Sequence, residues 1–135
     1  MRFLLDVSAL LSLGVLDHEF HHRTANWVKS LTRHGIPEFA TCALTELGFL
    51  RVLAQVPQYG FGVSQARDLL LRLKKAKVWD FSFIADDQDV TCLPNWVKTP
   101  KQVTDGHLVE LAKANGAVLA TLDRRIPGAF LIPEI

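Results

Sequence analysis

The sequence predicts a single α/β domain, residues 1–135, organised on a buried sheet, and three observations carry that expectation. Two short apolar runs, Phe3-Leu4-Leu5 and Ala117-Val118-Leu119-Ala120-Thr121-Leu122, have strand length without polar alternation, the profile of strands covered on both faces. Stretches with apolar residues at helical spacing lie between these runs and other strand-like segments. The length of 135 residues and the 49% hydrophobic content match one domain with a substantial core.

Taken in order, the first strand ends at Asp6-Val7-Ser8. Asp6 has two readings: N-cap of the helix that Ala9-Leu10-Leu11 begins, or an acid at the carboxyl end of a strand, where open α/β sheets bind ligands. Asp17 then predicts the start of a second helix with Phe20, Thr24, Trp27, Val28 and Leu31 inward, stopped by Gly35 and Pro37. That helix would contain His18-Glu19-Phe20-His21-His22, a match to the H-E-x-x-H pattern of zinc proteases. His18 and His22 would lie roughly 140° to 180° from the apolar stripe and so face water, with no third ligand evident, which favours a polar helix face over a zinc site.

Glu38-Phe39-Ala40-Thr41 reads as a second strand, followed by a helix from about Ala43 to Ala54 with Leu44, Leu47, Leu50 and Ala54 inward and Glu46 flanking them. Pro57 and Gly60-Phe61-Gly62 separate it from a helix running from Ser64 to Leu73, where Arg67, Arg72, Lys74, Lys75 and Lys77 supply the largest basic surface for phosphates. Val78-Trp79-Asp80-Phe81 reads as a third strand, and Ser82 to Lys98 as a loop or short helix.

Thr99-Pro100-Lys101-Gln102 predicts the next helix start, with Thr99 as N-cap, Pro100 at the first helical position and Gln102 closing a capping box. Asn115-Gly116 predicts its end. Asp105 falls inside the stripe formed by Leu108, Val109, Leu111 and Ala112, so its carboxylate faces the interior and requires a proton, a basic partner or a metal. The strand that follows ends in Asp123-Arg124-Arg125, and Ala129 to Ile132 read as a fifth, edge strand ended by Pro133.

The net charge of +1 excludes a strongly polyelectrolyte surface. The two cysteines, Cys42 and Cys92, are too few and too far apart for a disulfide framework or a cysteine zinc site, which suits a reducing cytoplasm. Asp6 interrupts the apolar start too early for a signal peptide, and no membrane segment is expected. Four acids thus stand at strand ends or beside inner helix faces: Asp6, Glu46, Asp105 and Asp123. Held together they repel, and oxygen-rich sites of this kind suit Mg²⁺ or Mn²⁺, which serve phosphoryl chemistry.

Asp6-Val7-Ser8, Glu46, Thr104-Asp105-Gly106-His107-Leu108 and Thr121-Leu122-Asp123-Arg124 together resemble the PIN-domain pattern. In length and order of motifs the chain is most similar to the VapC toxins of bacterial toxin–antitoxin pairs. The resemblance covers nearly the whole chain; the order and spacing of the four acids carry it. It implies a central parallel sheet of four to five strands flanked by helices, metal-dependent endoribonuclease activity on single-stranded or loop RNA, and neutralisation by a VapB-like antitoxin. Asp6 and Asp105 match the principal metal ligands, Asp123 and Glu46 complete the acidic site, and Ser8, Thr121 and Arg124 support it. A homodimer is expected, with no membrane contact. Gly106 stands where the family more often has Ala, and Ser82 to Lys98 follows the pattern loosely. The pattern also commonly has His near the start of the second helix. The leucines at 47, 50, 53 and 69–73 are expected either in the core or in a groove for the antitoxin.

Other classes are weighed against these residues. A haloacid-dehalogenase-like phosphatase needs a second Asp where Ser8 stands, and a response-regulator receiver needs an acidic pair after its first strand, which is missing. A zinc metallopeptidase through His18-Glu19-x-x-His22 and a stand-alone or non-catalytic PIN-like RNA-binding protein are the remaining alternatives.

Overall fold

A computed structural model describes residues 1–134 of the chain. Five strands and five α-helices follow in the order β1 (Arg2–Leu5), α1 (Val7–Gly14), α2 (His21–Leu31), β2 (Glu38–Cys42), α3 (Ala43–Gln55), α4 (Val63–Lys75), β3 (Asp80–Ile84), α5 (Gln102–Ala114), β4 (Ala117–Thr121) and β5 (Phe130–Leu131). All strand pairings are parallel and the spatial order is β3-β2-β1-β4-β5. The chain therefore builds outward from β1 to β3, crosses back, and resumes on the other side of β1. The crevice at such a reversal, beyond the carboxyl ends of β1 and β4, is where sheets of this kind hold ligands.

Strand alternation divides the core in two. Phe3 and Leu5 point to one face, where α1, α2, α3 and α4 contribute Leu10, Trp27, Phe49 and Leu70; Leu4 points to the other, covered by Leu108, Leu111 and Ala112 of α5. The thicker side is centred on aromatic rings: Trp27 lies 5.0 Å from Phe3 edge-on and 5.6 Å from Phe130 in a stack. No described helix is long and apolar enough to cross a membrane.

Several elements depart from the sequence-based expectation. Helix α2 begins at His21, not near Asp17; residues 16–20 form turns, with the His18 amide donating to the Val15 carbonyl at 3.0 Å. On α3 the buried residues are Thr45, Gly48, Phe49 and Leu53, whereas Leu44 and Leu47 are exposed. The cause is close packing on α1: a Cβ at Gly48 would lie 2.6 Å from Val7 Cγ2, so the smallest residue must face inward. Of the leucines considered for a groove, Leu53 and Leu70 are core residues, while Leu47 and Leu71 are exposed. Strand β3 starts two residues later than expected and takes Ser82 to Ile84 from the segment read as loop, because the Trp79 indole donates to the Leu73 carbonyl at 2.7 Å and holds Trp79 in the preceding turn. Helix α5 begins at Gln102, whose Oε1 accepts from the Lys98 and Thr99 amides at 2.7 and 3.2 Å; Thr99 and Pro100 form the turn before it.

Gly106 has a local reason in this chain. A Cβ there would meet Val97 Cγ2 at 2.3 Å and Pro94 Cδ at 3.3 Å, side chains of the segment between β3 and α5 that packs over α5. Gly106→Ala is expected to lower stability by about 1–3 kcal/mol, the usual range for overpacking. Val97→Ala in the same chain should recover most of it in a denaturant melt, and a silent Gly106→Ala would contradict the contact.

Candidate functional site

Asp6 leaves β1 at the moment α1 begins, and it takes the N-cap position while standing at the carboxyl end of the sheet. Its carboxylate caps α1 by accepting the Ala9 amide at 2.8 Å, and it is 7% exposed at the carboxyl end of the sheet. Burial, with further contributions from the charges of Asp105 and Asp123, outweighs these hydrogen bonds and pushes its pKa up to about 6. Backbone pairing fixes its place: the Asp6 amide donates to the Ala120 carbonyl of β4 at 3.2 Å.

Thr121, the last residue of β4, links the two strand-end acids. Its hydroxyl bears on the Asp6 carboxyl and accepts the Asp123 backbone amide at 3.0 Å, so one buried side chain joins the Asp6 side chain to the Asp123 backbone. Asp105 reaches the same field from the first turn of α5, and its pKa is raised by partial burial and by Asp123, with Arg125 opposing. Three of the four expected acids therefore act on one another electrostatically.

Two of the four are also closed by basic groups. Arg125 grips Asp123 through Nε to Oδ1 at 3.0 Å and Nη2 to Oδ2 at 3.1 Å, while its amide donates to Oδ1 at 2.9 Å; this holds the Asp123 carboxyl below its usual range. Glu46, in the first turn of α3, does not turn to the other acids. Its Oε2 accepts the Thr41 hydroxyl at 2.6 Å and the Lys74 ammonium at 2.5 Å, and Lys74 in turn lies 5.6 Å from the Phe83 ring centroid. From the sequence, Thr41 and Arg125 carry no role, and Lys74 belongs only to the basic surface for phosphates, not to a pairing with Glu46. For Arg125 the adjacency to Asp123 was a usable signal, whereas Lys74 lies 28 positions from Glu46 and meets it only through the packing of α4 on α3.

Ser8, exposed, and Arg124 line a cavity of about 590 Å³ whose wall also includes Asp123. A second cavity of about 180 Å³ opens on the other side of Asp123, toward Asp105 and Trp96. His18, expected with His22 on an outward helix face, instead borders the larger cavity with Glu19 from the turn before α2, while His22 is exposed on α2. With His18 outside the helix, the one-face geometry of an H-E-x-x-H zinc site is absent; His18 Nδ1 accepts the Phe20 amide at 3.0 Å and His21 Nδ1 is bonded to the Ser12 carbonyl at 2.8 Å.

Among the described residues, no three His, Cys, Asp or Glu side chains converge closely enough to hold a metal ion in this conformation. The donor chemistry nevertheless fits a hard cation: a buried carboxyl driven toward protonation by burial and two like charges is relieved by a nearby positive charge. The closure of Asp123 by Arg125 and of Glu46 by Lys74 opposes full convergence.

A parallel sheet whose strand order turns back at β1, with acids beyond β1 and β4 and on the flanking helices, matches the arrangement expected of a PIN domain. The structure of VapBC2 from Rickettsia felis bound to a promoter DNA fragment superposes with a TM-score of 0.60, covering 97% of this chain and 97% of that one at 14% identity. Ribonuclease VapC44 of Mycobacterium tuberculosis is 37% identical over 96% of this chain and 94% of its own, and Ribonuclease VapC38 of the same organism is 37% identical over 97% and 89%. No family model matches the sequence. The chain belongs to the VapC ribonuclease family.

Proposed function

We propose that this protein is an endoribonuclease acting as the toxin of a type II toxin–antitoxin pair, and that its hydrolysis of single-stranded or loop RNA depends on Mg²⁺ or Mn²⁺. The observation that carries the reading is the mutual coupling of Asp6, Asp105 and Asp123 at the sheet reversal, with Asp6 buried and short of positive charge. Asp6 and Asp105 would hold the cation, with Asp123 and Glu46 completing the set. A bound divalent ion lowers the pKa of an attacking water and stabilises the leaving oxygen. Thr121 joins the Asp6 side chain to the Asp123 backbone, Ser8 offers an exposed hydroxyl at the cavity wall, and Arg124 offers a guanidinium there for phosphate.

Water attack at phosphorus requires no 2′-hydroxyl nucleophile. Incubation with loop RNA and Mg²⁺ should therefore give ends without 2′,3′-cyclic phosphate, and a substrate with a 2′-deoxy sugar at the cut should still be cleaved. Cyclic ends would overturn the mechanism. A small DNA-binding protein encoded next to this gene is the expected partner, and its co-expression should restore growth; absence of such a gene would favour a stand-alone RNA-processing nuclease.

The same reading includes a homodimer. Leu44, Val90 and Val103 are exposed by 43%, 80% and 45% around an apolar cavity of about 370 Å³ between α3 and α5. A second copy covering this face would remove that apolar surface from water. Sedimentation should give a dimer that Val103→Glu converts to a folded monomer; an unchanged dimer would move the interface elsewhere.

A further inference from the structure

The turn before α2 contributes a feature that the acid chemistry does not use. Phe20 is 38% exposed at the wall of the 590 Å³ cavity that also holds Asp123. Its ring is braced by the Arg23 guanidinium, 5.7 Å from the centroid, and Arg23 is itself anchored, with Nε donating to the Ile132 carbonyl at 3.0 Å. A braced, exposed aromatic ring beside a cleft of nucleotide size is a stacking platform. Polar groups flank it. Because His18 Nδ1 accepts the Phe20 amide at 3.0 Å, the neutral imidazole carries its proton on Nε2 and offers a donor, and burial lowers the His18 pKa in favour of that neutral form. Glu19, exposed on the same wall, offers only acceptors, and Arg124 offers only donors.

We propose that residues 18–20 form a nucleobase subsite beside the acids, with Phe20 stacking on the base, Glu19 reading it and Arg124 meeting an adjoining phosphate. The donor pattern selects guanine. Among the four RNA bases only guanine presents two adjacent donors, N1–H and N2–H, on the edge that a carboxylate would grip with both oxygens; adenine, cytosine and uracil each present donors from one atom there. The O6 acceptor of guanine complements the His18 donor. The subsite rests on the ribonuclease reading for its role in cleavage, but binding of a free nucleotide does not, and this separates the two.

The test titrates guanosine and adenosine 5′-monophosphate into the intact protein without divalent metal, following His18 and Phe20 resonances by NMR. The same variants are then compared in cleavage of RNA oligonucleotides that differ at one base. The parent should bind guanosine monophosphate at least about tenfold more tightly than adenosine monophosphate, the size of one good bidentate base contact. Glu19→Gln should erase that preference. Phe20→Ala should weaken both nucleotides about tenfold or more, as loss of a stacking partner does. Phe20→Tyr should restore binding, which a fold defect would not allow. Equal binding of the two nucleotides by the parent, or an unchanged preference in Glu19→Gln, overturns the subsite. Guanine-selective binding without RNA cleavage overturns the ribonuclease reading and leaves the subsite standing; base-independent cleavage with unperturbed His18 and Phe20 signals does the reverse.

Discussion

Asp6→Asn is expected to lower RNA cleavage by more than about a hundredfold while making the metal-free protein more stable. The first effect follows from loss of a direct ligand, since even groups that only support a ligand cost 10- to 100-fold. The second follows from the buried position of Asp6. Its carboxyl has an ordinary value of 3.8 and sits at about 6 in the fold, so between those values the folded state binds more protons than the unfolded. Stability of the metal-free parent should therefore fall as pH rises across that window and stay low above it, a loss of about 3 kcal/mol. Asn has no charge to bury, and it caps a helix about as well as Asp, so the Ala9 amide stays satisfied. At neutral pH the substitution should raise the melting midpoint on the order of 10 °C, and at pH 4 the two proteins should melt together. A pH series of thermal melts in chelator checks this. A lower midpoint for Asp6→Asn at neutral pH would mean that Asp6 is structural first.

The second large effect concerns the groups that compete with a cation. If Mg²⁺ or Mn²⁺ binds at Asp6 and Asp105, a concentration 100 times its Kd should stabilise the parent by about 2.7 kcal/mol through mass action and leave Asp6→Asn unmoved. Arg125 and Lys74 hold the carboxylates of Asp123 and Glu46, so either must release before its acid can turn to a metal. Arg125→Gln and Lys74→Gln should each tighten Mn²⁺ binding several-fold in calorimetry. Both should also weaken binding of RNA, which loses a cation able to meet phosphate. Weaker Mn²⁺ binding in both variants would show that the basic groups support the site and do not compete for it.

What was legible in the sequence is what a short window encodes. Asp6 and Asp123 stand out because each ends an apolar run, and Asp105 because it interrupts an apolar stripe; in the structure their charges influence one another without the three side chains converging. Glu46 is expected beside a stripe of Leu44, Leu47, Leu50 and Ala54, but the face that α3 buries is Thr45, Gly48, Phe49 and Leu53. Leu44, Leu47 and Leu50 form a three-residue spacing that outweighs Thr45 and Gly48 in any count of hydrophobicity, yet Gly48 decides the packing through a contact with Val7, 41 positions away (48 − 7). The start of α2 was misread for a related reason. Asp17 has the chemistry of a cap, but turn bonds from His18 to Val15 and from His21 to His18 use the backbone first, and the helix forms only after them. That displacement turned a solvent-facing decoy into a cleft wall.

Asp6 and the cleft wall hang from different kinds of structure. Asp6 and Thr121 are tied to paired strands at the centre of the sheet, where a shift of either would cost ladder bonds and core contacts on both faces. The segments 16–20 and 122–125 are connecting turns that bear little of the core. In the turn at 16–20, substitutions can reshape the cleft wall without disturbing the strand pairing that fixes Asp6 and Thr121. The wall can therefore vary in sequence at little cost to the folded core, whereas Asp6 and Thr121 cannot move without disturbing that core.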